Sequence, residues 1–164
     1  MLARVARNIY WMARYVERAE NTARLINVNS NLLLDLPKNT QFGWQPLLAI
    51  MGNYETFIEK YKEATERNVI RFLVLDDSNS SSLLSSLSTA RENLRTTRDI
   101  VPTEVWEHLN DLYLYVKSNT SLVLSKNKRY DFLRRIIQGT KLITGIVAGI
   151  MSRDVGYRFL QMGL

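Results

Sequence analysis

The side chains with the most usable chemistry lie in the first quarter of the chain. Arg14, Glu17, Asn21 and Arg24 recur every three or four residues, a spacing that puts them on one face of a helix. Two guanidinium forks on such a face can grip a carboxylate or a phosphate, with Glu17 holding one fork in position. Arg18 and Glu20 are interleaved with them, and Glu20 with Arg24 forms an i,i+4 pair. The same pattern reads equally as a solvated face with ordinary surface ion pairs. Spacing alone leaves the two open.

A second group flanks a serine-rich stretch, residues 76–82. Arg71, Asp76, Ser81, Ser82, Arg91 and Glu92 stand around it and around the helix expected to follow. Free N–H groups at a helix start can hold an anion, whereas a plainly capped loop needs no ligand at all. His108 is the only histidine, and Glu104 lies four residues before it, not the three of a di-iron Glu-x-x-His motif. A lone histidine builds neither a metal site nor a triad, so no metal or cofactor is expected. Lys126, Lys128, Arg129, Arg134 and Arg135 have Tyr130 and Phe132 among them. They suit either nucleic-acid phosphates or a simple basic helix face. There is no Gly-rich phosphate loop, zinc motif or zincin motif.

The elements that would position these groups are helices. Positions 2, 5, 9, 12, 16, 19, 23, 26, 30 and 33 are apolar except for Ser30, and neither Gly nor Pro interrupts residues 2–36. This predicts one long helix with an apolar seam. Pro37 and the polar Lys38, Asn39 and Thr40 break it. A second helix is expected from about Trp44, with Pro46 in its first turn and Leu47, Leu48, Met51, Tyr54, Ile58 and Tyr61 on one face. Residues 68–75 have strand propensity, but in a helical chain they read better as a short buried helix. A late serine of residues 76–82 should cap a helix from about Ser82 to Ile100. Thr103 should cap the next, which buries Val105, Leu109, Leu112 and Val116. The helix from about Lys128 to Ile150 should bury Leu133, Ile136, Ile137, Ile143, Ile146 and Ile150. Its glycines, Gly139, Gly145 and Gly149, suggest close approach of a neighbour. Ser152 would cap a final piece. The fold class is therefore all-α: an antiparallel bundle of about six helices around a long N-terminal one.

Composition agrees. Seven Gly and three Pro in 164 residues are few, and 46% hydrophobic content provides one core. The absence of Cys excludes disulfides, thiolate metal sites and a Cys nucleophile. The start runs straight into charged helix rather than a signal peptide. Residues 142–151, the longest apolar run, are too few to span a bilayer. A cytoplasmic protein is the expectation. Acids and bases balance over residues 1–125, whereas residues 126–164 hold eight Lys/Arg against two Asp/Glu. A basic end of this kind suggests an anionic partner.

Shifting the sequence by 150 places Val155, Gly156, Phe159, Met162 and Gly163 on Val5, Ala6, Ile9, Met12 and Ala13. The first seam is echoed at the C-terminus, which suggests the N-terminal part of a longer protein with two such helices. An incomplete seam also predicts self-association.

The stretch from Arg14 to Arg24, preceded by Tyr10-Trp11-Met12, resembles the signature of the bacterial alpha-E domain family. Residues 68–73, Ala90-Arg91-Glu92-Asn93, Trp106-Glu107 and Met151-Ser152-Arg153-Asp154 extend the resemblance. Asp77 stands where an Arg is usual, and Ser80 where a Pro is usual. The resemblance implies an all-helical protein of unassigned function, roughly twice this length, with a second Glu-Arg motif. It also implies neighbours of ATP-grasp, transglutaminase and amidohydrolase type, and hence a non-enzymatic accessory to peptide formation or modification. Ser152, Arg153 and Asp154 join the candidate site on this ground. An enzyme part with Glu17 and Arg18 beside its reaction centre is the alternative, and nucleic-acid binding through residues 126–135 a further one.

Overall fold

A computed structural model describes residues 2–38 and 43–164. Its spine is α1 (Ala3–Asp35), a single unbroken helix about 50 Å long. The expected seam is buried along most of it: Ile9, Met12, Val16, Ala19, Ala23 and Ile26 are all at or below 1% exposure. It weakens only at the ends, where Leu2 is exposed and Val5 and Leu33 are half-buried. The helix stops before Pro37. Asn39 and Thr40, expected in the following loop, lie outside the described residues.

The second expected helix is two. α2 (Gln45–Ile50) carries Pro46 in its first turn, and α3 (Tyr54–Tyr61) follows after a turn at Gly52. Gly52 has φ of 71°, a conformation cheap for glycine alone. That turn re-aims the chain, so Phe57 becomes fully buried while Tyr54 is exposed.

Residues 68–75 are helical, as preferred over the strand. α4 (Glu66–Ile70) runs into a wider π-helical turn at Arg71–Leu75. The wider turn sends the Asp76 N–H to the Arg71 carbonyl. The Phe72 carbonyl is then free to accept from the Asn79 side-chain amide at 3.0 Å.

α5 (Leu83–Arg95) is capped by Ser82, whose hydroxyl accepts from the Ser85 N–H. It ends five residues short of the expected Ile100, although Thr97 is still buried. α6 (Thr103–Ser118) buries Val105, Leu109, Leu112 and Val116 as expected; Pro102 occupies the cap position instead of Thr103. A short α7 (Thr120–Leu124) precedes α8 (Arg129–Ile150). Of the three α8 glycines, only Gly139 faces a close neighbour: a Cβ there would lie 2.5 Å from Leu112 Cδ2, whereas Gly145 and Gly149 face open space. Ile137 and Ile146, expected to be buried, are half-buried, and in the last turns Val147 and Met151 are buried while Ile150 is 62% exposed.

α9 (Val155–Gly163) is capped by Asp154, not by Ser152: the Asp154 carboxylate accepts from the Tyr157 N–H at 3.0 Å. Both residues are good caps, and the chain uses the one next to the helix. Nine helices are thus described where about six were expected, the extra ones being short. Thr96, just past α5, accepts from Asn8 near the start of α1, so α5 runs antiparallel to α1. α9 begins against Ile100 and ends with Gly163 against Ala13, where a Cβ would strike the Tyr10 carbonyl at 2.4 Å. α9 therefore runs parallel to the start of α1, and Gly163 touches the residue it echoes. Among the described residues, no helix is long and apolar enough to cross a membrane.

Candidate functional site

Burial of Val16, Ala19 and Ala23 fixes which way α1 presents its charged residues. Arg14 Nη1 lies 2.6 Å from Glu17 Oε2, and both side chains are partly exposed. Three residues on, Arg24 Nε donates to Glu20 Oε1 at 2.8 Å. The other Glu20 oxygen accepts from the Thr140 hydroxyl of α8 at 3.0 Å, and Thr140 is fully buried. Glu20 is therefore held by two helices. Its neighbours are not. The Arg18 guanidinium sits 5.3 Å from the centre of the Tyr15 ring and meets no carboxylate among the described residues. Asn21 is exposed, and its amide bonds nothing among them.

Tyr15 also forms one edge of an open groove of about 510 Å³. Ser85, Ser88 and Thr89 of α5 lie along it, Tyr113 and Lys117 of α6 form the far edge, and Asp77 and Ser80 close one end. Arg91 stands behind the far edge. Its guanidinium lies 4.9 Å from the Tyr113 ring and 5.7 Å from the Trp106 ring, and its Nε donates to Asn110 at 2.7 Å. Glu92 turns outward and pairs with Arg95 at 3.1 Å.

Asp76 belongs to a separate cluster. Its carboxylate, 6% exposed, accepts from Lys60 Nζ at 2.8 Å, from the Tyr61 hydroxyl at 2.7 Å and from both the N–H and hydroxyl of Ser78. Burial alone would raise the Asp76 pKa, but these donors more than offset it and bring the pKa down from 3.8 to about 2. Burial, and then the carboxylate beside it, push the Tyr61 phenol up. Arg71 is exposed at the edge of this cluster. Ser81 is part of the same loop, its N–H donating to Asn79 Oδ1. Every strong acceptor position of Asp76 is filled, so the cluster pins the 76–82 loop onto α3.

The other candidates are not brought to α1's charged face. Ser152 and Asp154 stand at the start of α9, and Arg153 lies over the Tyr157 ring at 4.6 Å while donating to its hydroxyl. The basic cluster also separates. Arg129 is 4% exposed, so it leaves the surface group formed by Lys126, Lys128, Arg134 and Arg135. Arg135 stacks on Tyr115 at 4.4 Å. His108 is half-buried, and no group of three or more His, Cys, Asp or Glu side chains among the described residues is close enough to hold a metal ion.

A family model described as "a predicted alpha-helical domain with a conserved ER motif" matches residues 1–164. The chain belongs to the Alpha-E family. No curated protein and no solved structure matches it. Within this Alpha-E chain the Glu-Arg dipeptide read at Glu17-Arg18 is half-buried on α1, between Arg14 and exposed Asn21. A second such dipeptide, Glu66-Arg67, was passed over. Its glutamate forms the ion pair with buried Arg129 at 2.6 Å. The contact spans 63 residues, a separation that no local spacing rule detects. Tyr15 and Tyr113 were missed as groove edges because the groove exists only where α1, α5 and α6 meet.

Proposed function

We propose that the Glu17-Arg18 face of α1 is a recognition surface on a non-enzymatic module, an accessory to an ATP-grasp-type system that forms or modifies peptides in the cytoplasm. The observation that carries this reading is the contrast within one turn of α1. Glu20 is tied into the bundle by Thr140, whereas Arg18 and Asn21 stand beside it without polar partners among the described residues. Arg14 and Arg18, with Arg7 and Arg4 on the preceding turns, favour a partner that presents carboxylates. A rigid helix lowers the ordering cost of such a contact. The test is retention of this chain by a tagged ATP-grasp-type ligase from the same genome. Retention that is lost in Arg18→Glu, at unchanged melting temperature, supports the reading. No retention of the wild-type chain at low salt removes it.

Self-association is the second reading, favoured by a specific feature of the far end of α1. Val28, Leu32 and Leu34 are 63%, 42% and 69% exposed there, and Val28 and Leu32 share one face. Light scattering over a concentration series should show a mass above one chain that falls in Leu32→Glu. A single-chain mass at every concentration removes this reading.

A further inference from the structure

We propose that the cleft between the last turns of α1, Trp44 and the start of α8 binds a small monocarboxylate bearing an apolar group, about one amino-acid residue in size. The cleft holds about 140 Å³, close to the ~150 Å³ of an apolar cavity that accepts benzene. Leu33 and Leu34 of α1, Trp44 and Leu133 supply its apolar wall. Its charged end is built on Arg129, which is 4% exposed.

Arg129 is pre-set rather than mobile. Its Nε donates to the Val123 carbonyl at 2.8 Å, its Nη1 to Glu66 at 2.6 Å, and its guanidinium lies 5.7 Å from the Trp44 ring. Nη2 donates to nothing among the described residues. A planar fork with one edge fixed and one edge unused suits a carboxylate. Lys126 and Tyr130 stand at the cleft as well and are exposed.

Charge decides the ligand class. Among the residues that line the cleft, Arg129 and Lys126 contribute two positive charges and Glu66 one negative, leaving one to be matched. A monoanion satisfies that balance, whereas a phosphate dianion would meet Glu66 with surplus charge. The N-terminus of the long α8 points the same way: the Tyr130 and Asp131 N–H groups donate to nothing among the described residues, and a helix start favours an anion. Exposed Asp131 in that first turn competes for those N–H groups, so the buried guanidinium is the primary anchor. Asn27, Ser30 and Asn31 of α1 also line the cleft and can bond an amide or amino group on the same ligand.

This inference does not rest on the α1 recognition face, and Arg18→Glu should leave it intact. The probe is N-acetyl-leucine, followed by two-dimensional proton–nitrogen NMR on the full chain. Binding should move the Trp44 indole N–H and the Tyr130 amide. N-acetyl-leucinamide, which lacks the carboxylate, should bind about tenfold more weakly, the loss expected for one charge-assisted bond. Lys126→Met, a surface change that spares the fold, should weaken N-acetyl-leucine about threefold. Glu66→Gln with Arg129→Gln should abolish the shifts in a spectrum that stays dispersed. Free leucine binding more tightly than N-acetyl-leucine would identify an amino acid as the ligand, and the reverse order a peptide C-terminus; both support the site. Equal binding of the amide, displacement by inorganic phosphate, shifts confined elsewhere, or no shift at the solubility limit would each overturn it.

Discussion

The Asp76 cluster and the Glu17-Arg18 face are both charged, yet they use their hydrogen-bonding capacity in opposite ways. Asp76 is buried and takes an ammonium, a phenol, a hydroxyl and a backbone N–H. Nothing is left over for a ligand. The α1 face keeps one glutamate, Glu20, locked between helices, and leaves Arg18 beside it stacked only on Tyr15. A saturated cluster stabilises a loop; a cluster with unused donors on a rigid helix can serve recognition. Residue type does not separate the two cases, but partner count does.

The comparison breaks most visibly at Asp76. Asp76→Ala strands the Tyr61 hydroxyl and the Ser78 N–H and leaves Lys60 unpaired, which should cost about 3 kcal/mol in urea unfolding. A cost below about 1 kcal/mol would mean that the loop is held elsewhere. The pH dependence should follow from the same group. Its folded pKa of about 2 lies below the 3.8 of the free side chain. Its contribution is therefore complete above about pH 4 and lost as pH falls through about 2, amounting to about 2 kcal/mol. Asp76→Asn should flatten the stability curve over that window, and an unchanged acid limb would assign it to other carboxylates.

Glu20→Gln tests the anchored half of α1. It weakens the Arg24 pair and the Thr140 bond together and should cost about 1 kcal/mol. Glu17→Gln tests the open half and should cost less than about 0.5 kcal/mol, since a half-exposed pair contributes little. If the two glutamates prove equal in stability, the division of the face into anchored and open parts is wrong.

Much of the scaffold was readable from spacing. The seam through Ile9, Val16 and Ile26 followed from three- and four-residue recurrence, and a serine cap followed from the polar loop before α5, where the structure uses Ser82. What failed was information that only tertiary contacts carry. Gly52 split a helix read as continuous from Trp44, because the apolar pattern alone does not show where a turn re-aims the chain. Asp154 rather than Ser152 capped α9, two chemically similar choices two residues apart. Gly145 and Gly149 face open space, so of the three α8 glycines only Gly139 answers to a neighbour. At the candidate site, Glu17, Glu20 and Arg24 were identified together with their local pairs. Thr140 as the partner of Glu20, Lys60 and Tyr61 as the partners of Asp76, and the withdrawal of Arg129 from the basic surface were not. Each depends on which helices meet, and each was invisible to periodicity.

The most direct test of the central claim is the melting temperature of the double variant Glu17→Gln, Arg18→Gln. If the Glu-Arg face serves recognition and not folding, the variant should melt within about 2 °C of the wild-type chain. A fall as large as that of Asp76→Ala would show instead that this pair holds the bundle together, and would contradict the account.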